Sequence, residues 1–329
     1  MNTNIVEEKI LTDLLEACKQ AFHFRILDIT PVKRGWLNLK WIITTDSGKF
    51  LLKQYNQDRL KKYNEEELSN VFAQQNRLHQ EGFPCPKVYS YNDQLFLKSE
   101  QGERFILMDF CEGSLVMPGK ISLEQMYHLG TVTGRMHRLL NDGTLKKKSS
   151  PEFIVPSTED RLSYWKKLSD VARENYNTSL LYEIKKQYEA TQFIDLQDLD
   201  LHTTGWAHRD FWVDNLLFTN DHVSAVLDFD RMKYDYPQLD VARVIMSGAL
   251  HNHELDTSLA FSFLEGYRTQ QNVSDMYLTN ALLLLWYMES TWWIHPKIEF
   301  KSGPPKRFVD EMKWLAENVS RLQDLLNGK

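Results

Sequence analysis

Apolar residues at Ile10, Leu11, Leu14, Leu15 and Cys18 recur at the three- and four-residue spacing that lays one stripe along a helix, so the first twenty residues are expected to be helical and amphipathic. The period then changes. Leu39, Trp41 and Ile43 alternate with Lys40, Ile42 and Thr44, Asp46, Ser47 and Gly48 supply turn chemistry, and residues 49–55 resume an extended pattern. That sequence predicts a β-hairpin. Leu68, Val71, Phe72, Gln75 and Leu78 mark a second amphipathic helix that ends before Gly82, where GFPCP forces an extended path. Residues 88–91 and 104–110 complete a small predicted sheet.

Beyond Glu112 and Gly113 the strand signals thin out. Ser122 with Gln125 three residues on reads as a capping box, and Met126, Leu129, Val132, Met136 and Leu140 form the buried stripe of the helix it opens. Further helical patterns cover residues 160–190, 238–250, 256–269, 275–294 and 307–326. The expected architecture is α+β: a small antiparallel-sheet lobe over residues 1–110, a short connection near 109–114, and a larger, mainly helical lobe over 111–329.

Composition narrows the class. With 329 residues and 42% hydrophobic content the chain can build two cores, and its net charge of −6 argues against a nucleic-acid footprint. Cys18, Cys85 and Cys111 are an odd number without CxxC spacing, which signals neither a disulfide framework nor a zinc site and fits a reducing cytoplasm. The N-terminal segment lacks the basic and apolar blocks of a secretory signal, and the run ALLLLWYM at 281–288 is about half of a bilayer crossing, so no membrane partner is expected.

The chemistry concentrates in GWAHRDFWVDNLLF, which sets His208, Asp210 and Asn215 in the pattern HxDxxxxN ahead of an apolar extended stretch. A second apolar strand, residues 223–227, leads into Asp228-Phe229-Asp230, so Asn215 and Asp228 are expected on the two arms of one hairpin turning at 219–221. Phosphoryl transfer requires a positioned nucleophile, metal ions on the phosphates, and a cation on the phosphates that stay behind. Asp210 suits orientation and deprotonation of an acceptor hydroxyl; Asn215 and Asp228 offer the hard oxygens that Mg²⁺ prefers. Lys53 is the candidate cation, and Leu51, two residues earlier on the same strand face, could cover an adenine.

These residues together resemble the aminoglycoside phosphotransferase and choline kinase superfamily, which has a bilobal protein-kinase-like fold. The resemblance covers roughly residues 25–270 and includes Lys53 on the third strand, the segment GFPCPKV, and ILMDFCEG at an interlobe hinge. It implies ATP and Mg²⁺ as cofactors, adenine against the backbone near Asp109 and Cys111, and Asp240 as the aspartate buttressing the catalytic loop. Spore-coat proteins of the same superfamily show a similar acidic-strand pattern. The sequence departs from the protein-kinase pattern in the turn over residues 32–38, which has one glycine. The acidic partner of Lys53 is also ambiguous, Glu67 being a candidate on the helix after the hairpin.

Competing readings accompany several residues. His208 is expected to brace the catalytic loop rather than transfer a proton, while Asp230 fits a metal contact and a turn cap equally. Trp286, Glu289 and Trp293 suggest an aromatic and carboxylate cage for an amino-bearing acceptor, or simply core packing. Trp206 and Trp212 flank the motif with the same ambiguity, and the lysine run 146–148 reads as a solvated loop. The expected function is a phosphotransferase acting on a small-molecule hydroxyl, of aminoglycoside, choline or ethanolamine, homoserine or sugar type. A non-catalytic scaffold of the same fold is the alternative. A Ser/Thr protein kinase is disfavoured, because about a dozen residues separate Asp228 from Asp240, too few for a peptide-docking activation segment.

Overall fold

The computed structural model describes residues 3–33, 38–61, 63–117, 119–296 and 304–327. Residues 34–37, most of the single-glycine turn over residues 32–38, lie outside the described residues. The chain begins with α1 (Thr3–Phe22), β1 (Ile26–Pro31), β2 (Lys40–Thr45), β3 (Gly48–Tyr55), α2 (Gln57–Leu60), α3 (Glu65–Gln80), β4 (Leu97–Lys98) and β5 (Arg104–Asp109). It continues through α4 (Leu123–Leu140), α5 (Thr158–Glu174), α6 (Thr178–Phe193), β6 (Gly205–Ala207), β7 (Leu216–Thr219), β8 (His222–Val226) and β9 (Lys233–Asp235). It ends with α7 (Gln238–Ala249), β10 (Leu250–His251), β11 (Glu254–Leu255), α8 (Thr257–Arg268), α9 (Tyr277–Trp293), α10 (Pro304–Asn318) and α11 (Leu322–Asn327). Two compact units result. One comprises Met1–Ser114, Leu216–Thr219 and Val223–Asp230; the other comprises Leu115–Asn215, Asn220–His222 and Arg231–Lys329.

The first unit is built on an antiparallel sheet of order β1-β2-β3-β5-β4. Period-two alternation decides its two faces. Phe50 and Leu52 of β3 join Phe105 and Leu107 of β5 in a core closed by Leu14 and Cys18 of α1, with Ile10, Leu11 and Leu15 packed alongside. Leu51, Lys53 and Tyr55 take the opposite parity, and Tyr55 meets Phe72 of α3 at a ring separation of 6.2 Å. α3 starts where Asn64 caps Glu66 N–H at 2.9 Å, and Glu65, Glu66 and Glu67 place negative charge at its positive end.

Two departures from the sequence pattern have local causes. The expected strand at 88–91 is reduced to isolated bridges, because Asn76 takes the Val88 N–H at 2.7 Å and donates to its carbonyl at 2.8 Å, side chain standing in for a strand neighbour. The helical pattern at 160–190 is two helices. Asn175 ends the first, Tyr176 turns through φ 52°, and Asn177 caps the second by accepting from Leu180 N–H at 2.9 Å.

In the second unit the predicted capping box of Ser122 and Gln125 is present, with both reciprocal bonds. α4 then crosses α8 at glycines. A Cβ on Gly130 would lie 1.9 Å from the Phe263 carbonyl oxygen, and one on Gly266 would lie 1.9 Å from that of Tyr127. Both contacts are to backbone, so neither can be relieved by a rotamer change. No helix among the described residues is long and apolar enough to cross a membrane. Gly130→Ala is therefore expected to destabilise the protein by about 1–3 kcal/mol, the overpacking outweighing a helix-propensity gain of at most about 1 kcal/mol. Urea unfolding measures it, and a midpoint at or above the wild-type value would contradict the close approach.

Candidate active site

The chemistry-bearing residues divide between the two units. In the first, β3 delivers Lys53 into the protein interior, where its side chain is 3% exposed. Nζ lies 2.7 Å from Asp228 Oδ1 and 2.6 Å from Asp230 Oδ2, and Tyr55 O–H donates to the second Asp230 oxygen at 2.7 Å. Burial opposes the ammonium charge, but Asp228 and then Asp230 outweigh it and hold the Lys53 pKa above its ordinary value. The Tyr55 phenol is raised as well, by burial first and then by the Asp230 charge, which keeps its proton available for that hydrogen bond. Asp228 itself sits at φ 65°. A non-glycine residue in that left-handed region costs about 1–3 kcal/mol unless its surroundings over-determine it, and such residues gather at functional sites.

Glu67 is exposed on α3, and Glu65 of the same turn pairs with Arg104. The acids on Lys53 come instead from the segment after β8. Asp230, read from sequence as a metal contact or a turn cap, is a buried partner of the lysine, and Tyr55 was missed altogether. The available signal was parity: Tyr55 lies two residues from Lys53 on one strand and shares its face. At the end of β5, the Asp109 carboxylate accepts from Lys87 N–H at 3.0 Å and Tyr89 O–H at 2.8 Å. Cys111 follows half-buried, its thiol pushed up to about 11 by burial and then by the Asp109 charge.

In the second unit the segment 208–215 is a loop closed by a single 3₁₀ turn at Val213–Asn215. Asn215 Nδ2 donates to the Asp210 carbonyl at 2.8 Å and to Asp210 Oδ2 at 3.1 Å, so the two ends of the HxDxxxxN pattern meet. His208 is fully buried, and its Nδ1 accepts from Asp210 N–H at 3.3 Å. Arg231 Nε stands 4.0 Å from Asp210 Oδ1. Arg209 turns through φ 63° and is secured by Asp235 Oδ2, 2.7 Å from its Nε.

Asp240, near the start of α7, holds this backbone in place. Its carboxylate accepts from His208 N–H at 2.7 Å and Arg209 N–H at 2.8 Å, and lies 3.1 Å from His137 Nε2. Burial alone would raise its pKa, but the hydrogen bond and charge of His137, then the charges of His208 and Arg209, bring it below the ordinary carboxylate value.

The cage reading of Trp286, Glu289 and Trp293 requires correction. Trp286 is fully buried and its Nε1–H donates to Gln187 Oε1 at 2.8 Å, which makes it a satisfied core residue. The Glu289 carboxylate pairs with Arg243 and accepts from Trp293 Nε1–H at 3.1 Å. Its charge is compensated inside the protein. The helical spacing that suggested a cage is the spacing of a buried helix face, and a sequence cannot separate the two.

A sheet flanked by helices in one unit, a helical second unit, and an Asp-Asn loop set before a two-stranded hairpin define a kinase-like phosphotransferase fold. A family model described as "Phosphotransferase enzyme family" matches residues 28–275. The chain belongs to that family and is a small-molecule phosphotransferase. A homoserine kinase of Bartonella henselae is 24% identical over 265 residues, 79% of this chain and 77% of its own length. Among solved structures, an amicoumacin kinase in complex with AMP-PNP and Ca²⁺ superposes with TM-score 0.66 at 16% identity, covering 98% of this chain and 97% of its own. An aminoglycoside phosphotransferase from Alicyclobacillus acidocaldarius superposes with TM-score 0.67 at 14% identity, covering 95% and 94%.

Asp240→Ala is expected to cost about 3–5 kcal/mol at neutral pH, since it leaves two buried N–H groups and His137 without their acceptor. The folded-state pKa is depressed, so the ionic part of this contribution is complete above the unfolded value of about 3.9 and is lost as pH falls through the lower folded value. Urea unfolding of both proteins from neutral to strongly acidic pH tests this. A gap that is absent at pH 7, or that widens in acid, would contradict the assignment.

Proposed function

We propose that this chain transfers the γ-phosphoryl group of ATP to the side-chain hydroxyl of homoserine, with Mg²⁺ on the phosphates. The observation that carries the reading is the fixed Asp210 carboxylate: it is held by Asn215 on a loop whose backbone Asp240 clamps from behind. A carboxylate so restrained accepts a hydrogen bond from the acceptor hydroxyl and aims its lone pair at phosphorus. It takes the proton as the new O–P bond forms and the bond to the leaving ADP oxygen breaks. Positioning is the main demand of this chemistry, and a rigid loop meets it.

Lys53 is the cation for the phosphates that remain with ADP. Its charge is secured before any nucleotide binds, and a phosphate oxygen would compete with Asp228 while Asp230 and Tyr55 retain the ammonium. Asn215 and Asp228 suit Mg²⁺ by donor chemistry, a carboxylate and an amide oxygen, with the Asn215 NH₂ already spent on Asp210. Among the described residues no three His, Cys, Asp or Glu gather as a metal site, so Mg²⁺ would draw its remaining ligands from phosphate and water, as it commonly does. Bound there, Mg²⁺ neutralises phosphate charge. Leu51 and the backbone at Asp109 and Cys111 are assigned to the adenine.

Homoserine is favoured among hydroxyl acceptors because the relatives named homoserine kinase recur across several bacteria. The free thiols at Cys18, Cys85 and Cys111 accord with a cytoplasmic enzyme. A coupled ADP-release assay across homoserine, choline, aminoglycosides and sugars tests the assignment, and turnover confined to other acceptors would refute it. Asp210→Asn is expected to lower kcat by ~10²–10⁴-fold while keeping its thermal stabilisation by MgATP. Unaltered turnover would remove Asp210 from its role. Asp228→Ala is expected to abolish the Mg²⁺-dependent part of nucleotide stabilisation in the same thermal titration, and a retained Mg²⁺ effect would count against it as a ligand.

A further inference from the structure

The loop that carries Asp210 also carries Trp212 and Asp214, and both contact Arg307 in a charged cluster from α7, α9 and α10. Arg243 binds Glu289 and Glu311 at its buried end. Arg307, one helical turn before Glu311, forms the more open end: its side chain is 22% exposed, against 8% for Arg243 and 1% for Glu311. The Arg307 guanidinium lies over the Trp212 ring at 4.7 Å and over Phe308 at 5.6 Å. It stands 3.7 Å from Asp214 Oδ1 and 3.5 Å from Glu311 Oε1.

This cluster is not closed on itself. Arg307 Nε and Nη2, Trp212 Nε1 and Glu311 Oε1 are buried and make no hydrogen bond among the described residues. Guanidinium and indole N–H groups only donate, and while Arg307 Nε has Glu311 Oε1 within ion-pair range, Arg307 Nη2 and Trp212 Nε1 lack an acceptor. Buried donors without partners are rare, and a ligand absent from the structure is one of the few physical reasons for them. Arg243 in the same network is paired with two carboxylates.

Planar, forked donors match a carboxylate, and stacking on an indole fixes the fork's direction. Asp214 beside it offers the opposite charge. An aminoglycoside or choline has no carboxylate to offer the guanidinium and indole donors, whereas a zwitterion can address Arg307 and Asp214 together.

We propose that Arg307, with the Trp212 indole N–H, receives the carboxylate of the acceptor, and that Asp214 takes its ammonium group, which makes the acceptor class hydroxy amino acids. The inference rests on the reading of this chain as a homoserine kinase and assigns that reading its specificity residues. Trp212 and Asp214 follow Asp210 by two and four residues, so the zwitterionic end is recognised on the same short loop that addresses the hydroxyl. That suits an acceptor only a few bonds long.

Steady-state kinetics and calorimetric binding on the full chain decide the matter, using homoserine, homoserine amide and 2-amino-1,4-butanediol as probes. Wild-type protein is expected to prefer homoserine to the two carboxylate-free probes by ~10–100-fold in kcat/KM, and Arg307→Met to erase that preference by raising KM for homoserine alone. The KM for ATP and the MgATP thermal shift should be unchanged. Trp212→Phe leaves an aromatic ring beneath Arg307 but removes the pyrrole ring with its N–H; it should raise the homoserine KM several-fold while the KM for ATP is unchanged, which preserves the test if Arg307→Met fails to fold. Asp214→Asn should weaken homoserine but not its des-amino analogue 4-hydroxybutyrate. If wild-type protein turns over homoserine and the amide equally, or if the variants lose stability while the homoserine KM stays fixed, the cluster is structural and the proposal fails while the kinase reading stands. If wild-type protein phosphorylates only aminoglycosides or choline, both fail together.

Discussion

A lysine cannot keep its charge inside a protein unless anions come with it, and Lys53 illustrates how much organisation that constraint imposes. Removing one partner of such a buried pair costs about 3–5 kcal/mol. Two carboxylates from far along the chain, Asp228 and Asp230, supply the compensation, and Tyr55 fixes one of them. The strand that carries Lys53 and the segment that follows β8 are thereby bound into one compact unit. The Lys53 charge assigned above to phosphate also holds remote chain segments together.

The second unit solves a related problem with the opposite sign. Asp240 is a buried carboxylate, and two backbone N–H groups with His137 keep it ionised and satisfied. In return it pins the unfavourable backbone turn at Arg209 immediately before Asp210. The left-handed Asp228 in the first unit is held with comparable firmness by Lys53. Strained backbone at Asp228 and at Arg209, next to Asp210, is maintained by ion pairs and hydrogen bonds around it, and this fits residues whose use depends on position rather than covalent reactivity.

The charged cluster of α7, α9 and α10 shows a different balance. Arg243 has no unmet demand, and its pairing with Glu289 and Glu311 is consistent with a packing role. Arg307 shares the acids of that network yet keeps a donor without an acceptor next to the loop that carries Asp210. The rings that meet these guanidinium groups are Phe308 and Trp212, whereas Trp286, read from sequence as part of a cation cage, is buried against Gln187.

Much of this protein was legible in the chain alone. Hydrophobic periodicity located the helices and the β2–β3 hairpin, because a repeat of 3.6 or 2 is a local property written into consecutive residues. HxDxxxxN and the acid after the next strand carried the phosphotransfer reading, since the spacing is short and the chemistry demands those side chains. Tertiary structure decided what depends on encounters between distant segments. It made Asp230, open from sequence as a metal contact or a turn cap, a partner of Lys53, left Glu67 exposed, and replaced a strand at 88–91 with hydrogen bonds from Asn76. It also buried Trp286 against Gln187 and brought Arg307 onto Trp212. Periodicity reports which face of an element is buried, but the identity of what it is buried against is set by long-range packing, and ion-pair partners are chosen there.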